Sequence, residues 1–392
     1  MSNLQGAPLS ESVKRGTDLR ETIHTPLIER RPRWWPSPPS TALRLIISDS
    51  IEANRQYMLV AGSFVIGSAA LARIFDLPFK IGLSARFIVL SSILGFFVIC
   101  GATAMMLFRD RPASPLSHLK AKLRGDWAIT ERMALGLPIV LATSFMFATF
   151  TSMKASIGNL VPYYADPILV GLDRAIHGGD AWKLIHPLIG YPLVTYCLGL
   201  FYFAWIPVVF MTLAAVAFMR SRRRLRNRYL LSVALCWILL GSLAAMTVAS
   251  AGPCFYRIFY HDDPFREMSS YFDYAGHFYS MTHLDLQALL LREGTEPGVQ
   301  IGNGISAFPS MHVALAFLNA LFARHIGRVW FGLSIAFLVI ILVGSVHLGW
   351  HYAIDGEASI IGVVAIWWLS DRLVGGIEIP DAHQVSLTFG ST

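Results

Sequence analysis

Eight stretches of this chain are long and apolar enough to cross a hydrocarbon core, which takes on the order of 20 residues. They lie near residues 57–75, 87–108, 133–153, 191–218, 229–250, 307–323, 329–346 and 350–371. A segment in lipid has to pair its backbone polar groups internally, as a helix does. The expected fold is therefore an all-α integral membrane protein with about eight transmembrane helices. Composition agrees: 54% of residues are hydrophobic and 15% charged, outside the range of soluble globular chains. The sixth stretch is the shortest and contains His312.

The remaining sequence narrows the class. Cys100, Cys197, Cys236 and Cys254 have no CxxC spacing and three lie in apolar stretches, against a disulfide framework or a zinc site. The first 50 residues are polar and rich in Pro and Arg, with no apolar core of a cleaved leader. Within them, Arg30-Arg31-Pro32-Arg33-Trp34-Trp35-Pro36 is suited to anionic headgroups. The net charge of +7 has a topological rather than a nucleic-acid explanation.

That explanation is the distribution of Lys and Arg. The tail to residue 56, the 109–132 and 219–228 loops, Arg324, Arg328 and Arg372 hold 23 of the 32, and the opposite loops hold 8. The positive-inside rule makes the first side cytoplasmic, with the Arg220–Arg228 run as its marker and no further role for that run. Both termini are then cytoplasmic, and the protein is expected in a plasma (inner) membrane. The 251–306 loop and the adjoining helix ends face the other side.

Two polar clusters fall on that extracytoplasmic side: Phe308-Pro309-Ser310-Met311-His312, and the segment from Ser345 to Asp355. Ionisable side chains are costly in membrane-type sequence and mark function. Pro309 suits a first helical turn, putting Ser310 and His312 at a helix N-terminus able to bind an anion. His312 is then placed to give a proton to a leaving oxygen. Gly302, Gly304 and Ser306 allow close backbone approach. His351 and Asp355 are four apart, so on a helix the carboxylate orients the imidazole and leaves its other nitrogen as nucleophile or base. His347 is read as a supporting or phosphate-binding group. His186, His325 and His383 read as solvated, Trp350 and Tyr352 as aromatic-belt residues, and Glu357 as a helix-contact carboxylate.

At these residues the chain resembles the type 2 phosphatidic acid phosphatase (PAP2) superfamily of membrane lipid phosphatases and phosphotransferases. Phe308–His312 is similar to its P-S-G-H element, with Met311 in place of glycine, and His351–Asp355 to its H-x-x-x-D. Ala251-Gly252-Pro253-Cys254-Phe255-Tyr256 resembles an element of the inositol-phosphorylceramide-synthase-like branch. The resemblance covers roughly 133–371 and implies a six-helix core. It also implies roles: His351 attacks phosphorus to form a phosphohistidine, Asp355 orients it, and His312 protonates the departing alkoxide. No metal or other cofactor is implied. The family's K-x6-R-P motif has no counterpart on the correct face, since Arg111-Pro112 is cytoplasmic and Ala104 stands where its lysine would be. The arginine of the third motif is also missing. Arg257, near Gly252 and Pro253, is the expected counter-charge, with His347 if protonated.

The expected organisation is a cytoplasmic tail (1–56), two additional helices with a basic loop (57–132), the PAP2-like catalytic core (133–371) and a short tail (372–392). The 166–179 segment reads as an amphipathic helix with Ile168, Leu169, Leu172 and Ile176 on one side, able to wall a lipid entry groove. The 257–300 segment reads as a lid or acceptor pocket. The expected partners are a lipid phosphate, pyrophosphate or phosphodiester and a hydroxyl acceptor, with no nucleic acid. The reading from another class is a transporter or proton-coupled carrier using the same residues as a relay, against which stand the one-sided polar residues and the lack of an internal repeat.

Overall fold

The computed structural model describes residues 39–124, 129–295 and 304–375, and the compact unit to which this account applies is residues 44–392. All regular structure among the described residues is helical. The chain opens with α1 (Pro39–Ile74), α2 (Leu83–Asp110), α3 (Pro115–Arg124) and α4 (Ile129–Leu160). Two short amphipathic helices follow, α5 (Asp166–His177) and α6 (Ala181–Ile189). Next come α7 (Pro192–Phe203) and α8 (Trp205–Ala217), interrupted at Ala204. Pro207 has no N–H to give the Phe203 carbonyl, which accounts for the break. Helix α9 (Arg223–Leu235) continues through a π-helical stretch, Cys236–Ala244, into α10 (Ala245–Thr247). Three short helices, α11 (Tyr256–Tyr260), α12 (Arg266–Gly276) and α13 (Thr282–Thr295), lead to α14 (Met311–Ala323), α15 (Arg328–His347) and α16 (Ala353–Gly375).

Among the described residues, seven helical runs are long and apolar enough to cross a membrane: 43–74, 83–110, 129–160, 192–217, 223–247, 328–347 and 353–375. They coincide with seven of the eight expected stretches. The remaining one is α14, apolar but only 13 residues long. It is nevertheless the centre of the bundle, packed against α8, α9, α15 and α16. Val313, Ala314, Leu315, Ala316 and Leu318 are no more than 1% exposed. Around it interlock Phe147, Phe150, Phe210 and Trp237, with ring centroids 4.4–4.9 Å apart. In lipid such contact holds helices together by close packing rather than by escape from water.

Helix α1 begins well before residue 57, because its polar residues serve the interior. Ser50 and Asn54 are buried and bond the carbonyls of Ala134 and Leu135. Their partner corrects the expectation that the arginine run is only a solvated loop. Arg226 is 1% exposed and gives its guanidinium protons to Asn54 (3.0 Å), Leu135 O (3.1 Å) and Ala217 O (2.9 Å). A buried cation is tolerable when its donors are met this fully. The Arg30–Pro36 segment and His383 lie outside the described residues.

Candidate active site

The two polar clusters meet. Helix α15 ends at His347 and the chain turns through Gly349 at φ +75°, where the amides of Trp350 and His351 both return to the Ser345 carbonyl at 3.1 Å. His351 therefore precedes α16 and is not on one helical face with Asp355, as its spacing led us to expect. Asp355 sits in the first turn of α16 and accepts the Tyr352 N–H at 3.0 Å, the carboxylate half of a capping box. Its Oδ2 is 3.4 Å from His351 Nδ1, but the shorter bond from that nitrogen goes to the Ala307 carbonyl at 2.7 Å. A carbonyl can only accept, so the proton is on Nδ1 and Nε2 carries the free lone pair.

Helix α14 starts two residues later than expected, at Met311 rather than Pro309. Ser310 is its N-cap, taking the Val313 N–H on its fully buried hydroxyl at 3.4 Å, and Pro309 lies before the cap. Ser310 thus shapes the helix end that carries His312. That imidazole lies between the rings of Tyr202 and Trp205, with centroids 4.3 Å from each, and 6.0 Å from the His351 ring. Trp205 Nε1 donates to the His312 carbonyl at 2.9 Å.

Gly252 and Pro253 reach the site by a backbone path open only to glycine. Gly252 has φ +88°, and a Cβ there would meet Ala307 and the Trp350 carbonyl. Pro253 lines a cavity with His351, and the Cys254 N–H bonds the Gly349 carbonyl at 3.0 Å. The organiser of this segment is Asp166, which went unrecognised as more than the start of a helix. Fully buried, it accepts from Ser250 Oγ (2.8 Å), Ala251 N (2.8 Å), Gly252 N (2.7 Å), Tyr260 OH (2.9 Å) and Tyr352 OH (2.9 Å). One carboxylate so fastens α5, the Gly252 segment, α11 and the residue after His351.

The expected cations have other surroundings. The side chain of Arg257 is 78% exposed and its ion partner is Asp263 at 3.8 Å. His347 is 1% exposed, bonded to Thr195 Oγ1 at 2.8 Å and stacked on His186 at 5.8 Å. It belongs with His186, Tyr271, Phe272 and His283 in a separate aromatic cluster. Lys154 of α4, half-buried, lies within electrostatic reach of both His312 and His351. Gly304 passes against its backbone. The signal was available: Lys154 and Pro162 keep the lysine-to-proline spacing of K-x6-R-P, with Val161 in place of arginine.

Other expectations change as well. Tyr352 is 3% exposed and bonded to Asp166, and Trp350 lies parallel to Tyr202, so neither is a belt residue. His186 is partly exposed and packs its ring against Trp182 and Tyr271. The 166–179 segment is helical as α5, with Leu169 buried and Ile168, Leu172 and Ile176 exposed. At its end His177 bonds Glu357 at 3.1 Å, tying α5 to α16. Asp173 of α5 accepts the Ile354 N–H at 3.0 Å, and burial raises its pKa against that bond. Among the described residues no group of His, Cys, Asp and Glu is spaced to hold a metal ion.

The family model described as the PAP2 superfamily matches residues 167–369, just over half of the chain. The match includes both histidines and Asp355 and stops short of Lys154 and Asp166. No match was found among curated proteins or among solved structures.

Proposed function

Since the chain belongs to the PAP2 superfamily, we propose that it cleaves or transfers a lipid phosphate, pyrophosphate or phosphodiester through a phosphohistidine on His351. The observation carrying this reading is the His351 imidazole, held by Ala307 at Nδ1 with Nε2 free, 6.0 Å from His312 and within electrostatic reach of Lys154. Nε2 attacks phosphorus, and the bond to the leaving oxygen breaks as the N–P bond forms. His312 gives that oxygen its proton and later takes one from the incoming hydroxyl. Lys154 offsets charge growing on the phosphoryl oxygens, and the α14 N-terminus adds its dipole. Ala307 and Asp355 hold the imidazole, and Asp166 holds the surrounding loops.

With α14 counted as an eighth crossing, the distribution of Lys and Arg supports a site at the extracytoplasmic face and cytoplasmic termini. The Ala251–Tyr256 element favours the inositol-phosphorylceramide-synthase-like branch, and hence transfer to a hydroxyl acceptor over simple hydrolysis. The test is purified protein offered a panel of lipid phosphates, with and without alcohol acceptors and with products identified by mass. Vanadate inhibition and loss of all turnover in His351→Ala are expected; a fully active His351→Ala enzyme would refute the mechanism.

A further inference from the structure

The charged groups that bear on His312 oppose the imidazolium that a proton donor needs. Lys154 of α4 and His351 both act on it electrostatically, and both are cations when protonated. It also sits in the first turn of α14, the positive end of that helix dipole. The other ionisable groups around it serve other partners. Asp355 of α16 stands by His351, Cys254 bears on Tyr202, His347 of α15 belongs to its separate cluster, Cys236 bears on Tyr229, and α8 has none. Hydrogen bonds do not hold the ring either: among the described residues neither nitrogen of His312 has a partner.

What His312 has instead is a ring against each face. Tyr202 and Trp205 lie three apart across the α7–α8 break, with centroids 4.3 Å from its own and planes at 20° and 37° to it. Among the described residues they make no ring contact with each other, which puts them on opposite faces. Both are themselves fixed. Tyr202, 5% exposed, runs parallel to Trp350, and Trp205, 7% exposed, is anchored by its N–H on the His312 carbonyl. An aromatic face within about 6 Å attracts a cation, more strongly away from water. Resting on the phosphohistidine reading, we infer that Tyr202 and Trp205 are positioning residues that clamp the His312 ring and hold on it the proton destined for the leaving oxygen. As the bond from phosphorus to that oxygen breaks, the oxygen takes the proton. The imidazole is left neutral, still aligned between the rings to receive a proton from the incoming hydroxyl. The clamp thus does for His312 what the Ala307 carbonyl does for His351.

The experiment is NMR of the full chain in lipid bilayers with nitrogen-labelled histidine, titrated with pH, the His312 signal being assigned by its loss in His312→Gln. Wild-type His312 is expected to titrate between about pH 5 and 8. Tyr202→Phe keeps the ring and should titrate within about 0.3 unit of wild type. Tyr202→Leu removes it, and the midpoint should fall by about one pH unit, tenfold in proton affinity, the scale of one buried cation–π contact. A trifluorinated phenylalanine at position 202 keeps the shape of phenylalanine while weakening the negative charge of the ring face. Its midpoint should lie below that of Tyr202→Phe, a comparison that holds even if Tyr202→Leu does not fold. Equal midpoints in those two proteins overturn the clamp and leave the phosphohistidine on His351 standing, as does a wild-type His312 still neutral at about pH 5. The alkaline limb of kcat/KM for a lipid phosphate should move with the midpoint. A limb that stays put while the midpoint moves takes the donor role from His312, in the reading and in the clamp alike.

Discussion

His351 gives its Nδ1 proton to the carbonyl of Ala307 at 2.7 Å, while the carboxylate of Asp355 stands 3.4 Å away. The tautomer is thus held by a backbone group that no side-chain substitution removes. Asp355→Asn should therefore retain measurable turnover, lowered by about 10²-fold or less, whereas His351→Ala should have none. Single-turnover assays on one lipid phosphate would separate the two, and equal loss in both variants would mean that Ala307 does not suffice.

Lys154 and Arg257 make a paired prediction about phosphate charge. Lys154→Met should lower turnover by roughly 10²–10³-fold, the usual scale for losing one charge-stabilising group. Lys154→Arg should recover part of it. Arg257→Ala, removing an exposed side chain paired to Asp263, should stay within about threefold of wild type. Steady-state kinetics on all three variants checks the assignment.

Asp166 predicts a stability effect larger than its place at the start of a helix suggests. Asp166→Ala strands five donors, each costing about 1–3 kcal/mol if it finds no water, so the segment around Gly252 should come loose. Asp166→Asn, which still offers one oxygen, should fall between the alanine variant and wild type. Hydrogen exchange of residues 250–260 and thermal unfolding would show this ordering.

Acid should loosen α13 while leaving the junction of α5 with α16 at its strongest. Burial holds the His283 pKa down at about 4, below its ordinary value of 6.5. The unfolded chain therefore binds the extra proton first, and stability falls as pH drops from about 6.5 to about 4, by at most ~1.4 kcal/mol per unit. His177 has the opposite sign. Burial lowers its pKa, but the Asp173 carbonyl and the charges of Asp173 and Glu357 outweigh that and leave it raised. Its contribution is full below the unfolded value and is lost as pH rises through the folded one. Exchange rates in α13 and at the junction of α5 with α16 should thus move in opposite directions over pH 4–8, and a His283→Gln variant should flatten only the first.

How far the sequence led can be judged from particular residues. Hydropathy located the seven long helical runs, and the rarity of ionisable groups in apolar sequence singled out His312, His351 and Asp355, which lie together. It failed where pairing is non-local. Nothing adjacent to Asp166 reveals that its partners lie 84–186 positions away, and Arg226 looked solvated because Asn54 and Leu135 are remote in the chain. His347 was grouped with His351 by proximity in sequence, yet the turn at Gly349 sends the two rings into different clusters. Lys154 was assigned to a loop because its span was drawn to end at residue 153, one position too early to count it as an intramembrane charge.

The shortness of α14 makes bilayer thickness a variable of the chemistry. Thirteen residues rise about 20 Å, against a hydrocarbon core of about 30 Å. On the proposed topology, with the far end of α14 at one membrane surface, the end bearing His312 sits roughly a third of the way down from the other. On the proposed function, a headgroup then has to sink toward the acyl chains to be processed, and thicker membranes deepen that descent. Lipids of increasing chain length should therefore slow the reaction even when the headgroup is unchanged.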